Sequence, residues 1–144
     1  ATPSGNSLAV ELLLKTSQIF GDEHHREISK YVLDREAPLM AQFPSGFGRL
    51  LTVLDRSLLP KTTVAIFGDQ KNLKTKELLK VLLSFYDPNR IVARKDTNQI
   101  LNHKVPFLQD GKVGPYPEVQ ICNEHSCKPL ISDPDTLRKQ LQFE

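Results

Sequence analysis

The hydrophobic period changes once along this chain of 144 residues, at Pro60, and that change constrains the fold more than any other feature. Before Pro60 the spacing is helical. Leu8, Ala9, Leu12, Leu13, Thr16, Ile19 and Phe20 fall on one stripe, with Glu11 and Lys15 four apart in the favourable order on the opposite face. Gly21 is placed to end this helix and Asp22 to cap the next. Ile28, Tyr31, Val32, Arg35 and Leu39 continue the spacing, and Pro38 is expected to kink or end the second helix. Pro44, Ser45 and Gly46 form a break, after which a third helix runs through Leu50, Leu51, Leu54 and Leu58 to Pro60. Residues 1–60 therefore read as an antiparallel helical hairpin plus a third helix, broadly apolar and in need of a partner surface.

Residues 61–144 have a different character. "TTVAIFGD" is a short β-branched run ending in Gly-Asp, which reads as a buried strand. "NLKTKELLKVLLSFY" is helical, and "RIVARKD" is a second strand beyond the Asp87-Pro88-Asn89 turn. Strand, helix and strand at these lengths imply a parallel crossover. "NQILNHKVPFLQDGKVGPYP" reads as weakly helical and then as a Gly/Pro-rich loop, and "EVQIC" as a third strand. "SDPDTLRKQLQ" closes the chain as a helix capped by Ser132 or Asp133. The expected fold class is α/β: strands Thr63–Phe67, Arg90–Arg94 and Glu118–Cys122 form a three-stranded parallel unit. The first strand is central because it is the most continuously apolar.

Composition narrows the function classes. A net charge of +2 is too small to argue for nucleic acid or an anionic membrane, and Lys71, Lys74, Lys76 and Lys80 read as the wet face of a helix. No apolar run approaches the roughly 20 residues that span a bilayer. The chain lacks an initiating Met, begins helically and reads as a piece of a longer protein. Two cysteines do not make a secreted disulfide scaffold, so the expected compartment is cytoplasmic.

Three stretches invite a functional reading. "PSGNS" packs Ser4, Gly5, Asn6 and Ser7 before the first helix. The plain reading is an N-cap; the sharper one adds a pocket, since a helix start bearing Ser and Asn suits polar or anionic ligands. "FGD" ends the first strand but carries no phosphate-binding pattern, so Asp69 reads as a helix cap. His24 and His25 are adjacent and share no helical face, which favours solvation. Cys122 and Cys127 are spaced C-x4-C, unlike a C-x-x-C redox pair. His125 and His103 are too isolated to complete a zinc site, so no metal and no cofactor are expected. A disulfide across the turn is geometrically open; two reduced thiols, with Cys122 in the core, is the preferred reading.

In this order the pieces resemble the C-terminal portion of the spermatogenesis-associated, thioredoxin-domain-containing protein family. The matching stretches are "PSGNS" before a Leu-rich helix, "VAIFGD", "TKELLKVLLSFYDPNRIV", "VPFL" and "ICNEHSCKPLISDPDTLRKQL". Together they span nearly the whole chain. "GPYPEVQIC" departs from the pattern, being proline-rich where relatives carry small residues. The resemblance implies that residues 1–60 are the last helices of an α/α toroid of the six-hairpin kind, and residues 61–144 a small terminal α/β domain. It further implies that the partners are the rest of the parent chain, namely the missing toroid and a thioredoxin-like domain, together with a small carbohydrate-like ligand reached by "PSGNS". The expected role is to complete or cap that pocket without turnover by this piece alone, whether the parent is carbohydrate-active or redox-active. An independent interaction module and a thiol redox role of Cys122 and Cys127 are the alternatives. The Leu-rich face of residues 8–20 is expected to be partly uncovered, or buried against another copy or against the α/β unit.

Overall fold

A computed structural model describes residues 2–96, 104–109, 111–123 and 125–142. The weakly helical stretch expected after Thr97, and His103, lie outside them. The chain divides into two compact units, Ala1–Leu59 and Pro60–Glu144.

The first unit consists of α1 (Gly5–Phe20), α2 (Glu23–Gln42) and α3 (Gly48–Leu58), with a 3-10 turn at Pro44–Gly46. Gly21 ends α1 in the left-handed region at φ 69°, where a Cβ would be strained. The Asp22 carboxylate then accepts from the His25 amide and starts α2. Pro38 does not end α2, which continues to Gln42. The missing N–H leaves the Asp34 carbonyl without its helical donor, but Asp34 and Pro38 are both exposed, so water can satisfy it. The face of α1 that turns inward is not the Leu-rich stripe. Val10 and Leu14, with Ser7 and Ser17, are buried against Leu33, Met40, Leu50 and Val53, whereas Leu8 and Leu12 stay 48% and 62% exposed. His25 is not simply solvated: its Nδ1 lies 3.0 Å from Thr16 Oγ1 and 3.4 Å from an Asp22 carboxylate oxygen.

The second unit is α/β: β1 (Thr62–Phe67), α4 (Leu73–Ser84), β2 (Arg90–Lys95), a 3-10 turn at Pro106–Leu108, β3 (Glu118–Cys122) and α5 (Pro134–Gln142). The sheet order is β2-β1-β3, with β1 in the centre. β1 is buried on both faces. Val64 and Ile66 pack with Leu78, Val81 and Leu82 of α4 and Leu137 and Leu141 of α5; Ala65 and Phe67 pack with Leu108. Burying each large side chain in this way contributes about 2 kcal/mol. Asn72, not Asp69, caps α4, accepting from the Lys74 amide; Asp69 instead accepts from the Lys71 amide within the turn. Asp133 caps α5 through the amide and hydroxyl of Thr136, and these bonds hold its carboxyl below the ordinary carboxylate range.

The sheet is not all-parallel. β1 and β2 are parallel, in register from Thr62↔Arg90 to Phe67↔Lys95, but β3 runs antiparallel to β1, pairing Phe67 with Glu118 and Thr63 with Cys122. A parallel β3 would require the chain to cross back over the sheet, usually through a helix. Here the connection holds only a 3-10 turn among the described residues, interrupted by Pro106, Gly111, Gly114, Pro115 and Pro117. The Lys95 ammonium also holds it at the end of the sheet where β2 finishes. It donates to the carbonyls of Leu108 at 2.8 Å, Gln109 at 3.1 Å and Gly111 at 2.8 Å. The chain therefore re-enters the sheet from the end at which it left.

Candidate functional site

Two Pro-Ser-Gly tripeptides meet in the helical unit. Pro3-Ser4-Gly5 leads into α1 and Pro44-Ser45-Gly46 precedes α3. Both border one open cavity of about 470 Å³, whose wall comprises Thr2, Pro3, Ser4 and Ser7 on one side and Ser45 through Leu50 on the other. The two helices thus begin at the same end, and the positive ends of their dipoles face one space.

Each start is built differently. Ser4 has extended backbone and caps α1: its Oγ accepts from the Ser7 amide at 3.2 Å, while the Ser7 hydroxyl donates back to the Ser4 carbonyl at 2.8 Å. No side chain caps α3, whose N-cap position is Phe47. Its first amides have no acceptor within the helix and are left to solvent or a ligand. A Cβ built on Gly5, Gly46 or Gly48 would meet nothing within 4 Å, so all three border open space.

The cation at this wall is partly neutralised. Arg49, at the start of α3, donates from Nε to the Glu11 carboxylate at 2.7 Å, and its Nη2 lies 2.5 Å from the same oxygen. Lys15 holds the other carboxylate oxygen at 2.6 Å. Glu11 is 14% exposed. The Lys15 hydrogen bond, and after it the one from Arg49, hold its carboxyl below its ordinary range against the opposing effect of burial. The lining contains no His, Cys, Asp or Glu, so this wall supplies hydroxyls, amides and one guanidinium, and no general base.

Of the residues singled out in the sequence, Ser4 and Ser7 line the cavity. Gly5 and Asn6 are beside it in the chain but not in the lining. Ser45, Gly46, Gly48 and Arg49 were not anticipated; the second Pro-Ser-Gly was the signal that could have found them. At the other candidate stretch, Cys122 and Cys127 are joined by a disulfide, not held as two thiols. The physical reason is the turn, which brings their Cα atoms to 4.0 Å as an isolated antiparallel bridge. Among the described residues no group of His, Cys, Asp or Glu could hold a metal ion, and no helix is long and apolar enough to cross a membrane.

Fold and site together describe a helical unit with a polar cavity at its helix starts, followed by a small mixed α/β unit. The chain is 28% identical over 144 residues to spermatogenesis-associated protein 20 of Rattus norvegicus and of Mus musculus, and 26% identical to that of Homo sapiens. Each similarity covers 98% of this chain and 18% of the relative, so the chain spans less than a fifth of the length of these relatives. Low as the identity is, the similarity supports the spermatogenesis-associated family that the motif order resembles, and it falls in the C-terminal part of those proteins. No family model matches the chain. No solved structure matches it.

Proposed function

We propose that the helical unit supplies one wall of a binding pocket for a small polar ligand of the carbohydrate type, within a longer protein of which this chain is a part. One observation carries the reading: two helix starts share one cavity, and one of them has no side-chain cap. Amide donors at such a site suit hydroxyl, carboxylate or phosphate oxygens. The hydroxyls of Ser4, Ser7 and Ser45 and the Arg49 guanidinium add the adaptable polar contacts that a sugar-like molecule requires. The lining carries no carboxylate pair of the kind glycoside hydrolysis uses, which supports a role in binding, with chemistry supplied elsewhere in the parent.

The test is calorimetric titration of the chain with neutral, amino and phosphorylated monosaccharides, against a Gly48→Leu variant. A Cβ at this lining position meets nothing within 4 Å, so the larger side chain can be accommodated at the cavity wall. Wild type should bind at least one member of the panel in the millimolar range, about 4 kcal/mol, and the variant should not. Equal binding by both proteins, or by neither, refutes the proposal.

A further inference from the structure

We propose that Cys122–Cys127 is an exchangeable disulfide, entered at Cys127 by an external dithiol, whose opening and closing leave the fold in place. The two sulfurs are unequally placed. Cys122 ends β3 and is 7% exposed, whereas Cys127 lies on the surface. An incoming thiolate must reach one of the two sulfurs, and the exposed residue Cys127 is the more accessible of the pair.

The turn between them does not depend on the bond. Asn123 Oδ1 accepts from the amides of His125 at 2.9 Å and Ser126 at 2.7 Å, and from the Ser126 hydroxyl at 3.2 Å. The Asn123 amide donates to the Ser126 carbonyl at 2.9 Å, and just outside the cysteines the Lys128 amide donates to the Ile121 carbonyl at 2.8 Å. Further on, Val119 and Ile131 exchange both backbone hydrogen bonds, at 2.8 and 2.9 Å. A structural disulfide stabilises by closing a loop that would otherwise be open, and the benefit grows with loop length. This one joins residues five apart in a turn already closed by hydrogen bonds. Breaking it frees no segment and leaves the two thiols beside each other, ready to re-form the bond.

The exchange balances without any other reactant. A thiolate of the dithiol attacks Cys127 Sγ, the Sγ–Sγ bond breaks, and Cys122 leaves with the electron pair and takes a proton. The second thiol of the reductant then loses its proton and attacks the reductant's own sulfur in the mixed disulfide; Cys127 leaves with the electron pair and takes up a proton. The net result is two protein thiols and one oxidised dithiol; the reverse reaction re-forms the bridge.

The test reduces the native chain with millimolar dithiothreitol, counts thiols by mass after alkylation, and follows near- and far-ultraviolet circular dichroism. The bridge should open completely without denaturant, the far-ultraviolet spectrum and the aromatic near-ultraviolet bands should be retained while only the disulfide's own contribution is lost, and oxidised dithiothreitol should close it again. Oxidised glutathione should modify Cys127 of Cys122→Ser about tenfold or more faster than Cys122 of Cys127→Ser. A bridge that opens only in denaturant, spectra that collapse on reduction, or equal rates at the two cysteines would overturn the proposal. The wild-type measurement decides even if a serine variant does not fold.

Discussion

Glu11 and Arg49 join the second turn of α1 to the first turn of α3, with Arg49 Nη2 2.5 Å from Glu11 Oε2 beside the cavity. Lys15 holds the other carboxylate oxygen, so one anion organises two cations. Glu11→Gln removes the shared charge and should cost about 1 kcal/mol, limited by the exposure of both cations to water. The carboxyl is held below its ordinary value of 4.5, so this stabilisation is present above that pH and is lost as pH falls through the lower folded value. Thermal melts of the two proteins should differ at pH 7 and converge as the pH falls below the ordinary carboxylate range. A gap that persists in acid would show that Gln disturbs packing and not charge.

Gly111 is required by Phe67. A Cβ at position 111 would lie 1.9 Å from the Phe67 ring, and that ring is 1% exposed with no room to turn away. Gly111→Ala should destabilise the α/β unit by about 1–3 kcal/mol in a urea titration. A neutral result would mean that the connection lifts off the sheet without cost.

Lys95→Met should cost about 1.5–3 kcal/mol in the same assay, because it removes the charged donor shared by three carbonyls and keeps the aliphatic stem. The amides of Leu108 and Gln109 should also exchange faster with deuterium. If their protection is unchanged, the ammonium does not hold the connection.

The exposed stripe of α1 should associate. Leu8 and Leu12 are 48% and 62% exposed, a row of apolar surface on one helix. Sedimentation should show concentration-dependent self-association that Leu8→Gln with Leu12→Gln reduces. Identical sedimentation of both proteins would remove this surface from the account.

The sequence showed most of the helices because their stops are local. Gly21 acts through its own left-handed backbone, Asp22 and Asp133 through bonds to residues three positions on, and β1 could be placed centrally from its own apolar run. The direction of β3 was not legible, since it depends on Lys95 reaching carbonyls 13 to 16 residues away. Of the two outcomes expected at Pro38, a kink or an end, the helix does not end there, because the carbonyl that loses its donor is on the exposed face. Half of the cavity wall was legible in Pro3–Ser7. The other half was missed because Pro44-Ser45-Gly46 reads locally as a break, and only the packing of α3 beside α1 turns it into a wall. Two thiols were preferred over the disulfide for a similar reason: the Asn123 bonds that close the turn cannot be read from spacing alone.

The central claim, a polar ligand pocket shared by the starts of α1 and α3, is tested most directly by mapping amide chemical shifts during titration with the monosaccharide panel. The account predicts saturable shifts at Ser7 and at Gly48–Leu50, with little change in the α/β unit. Saturable shifts confined to other residues, or none at ligand concentrations of tens of millimolar, would contradict it.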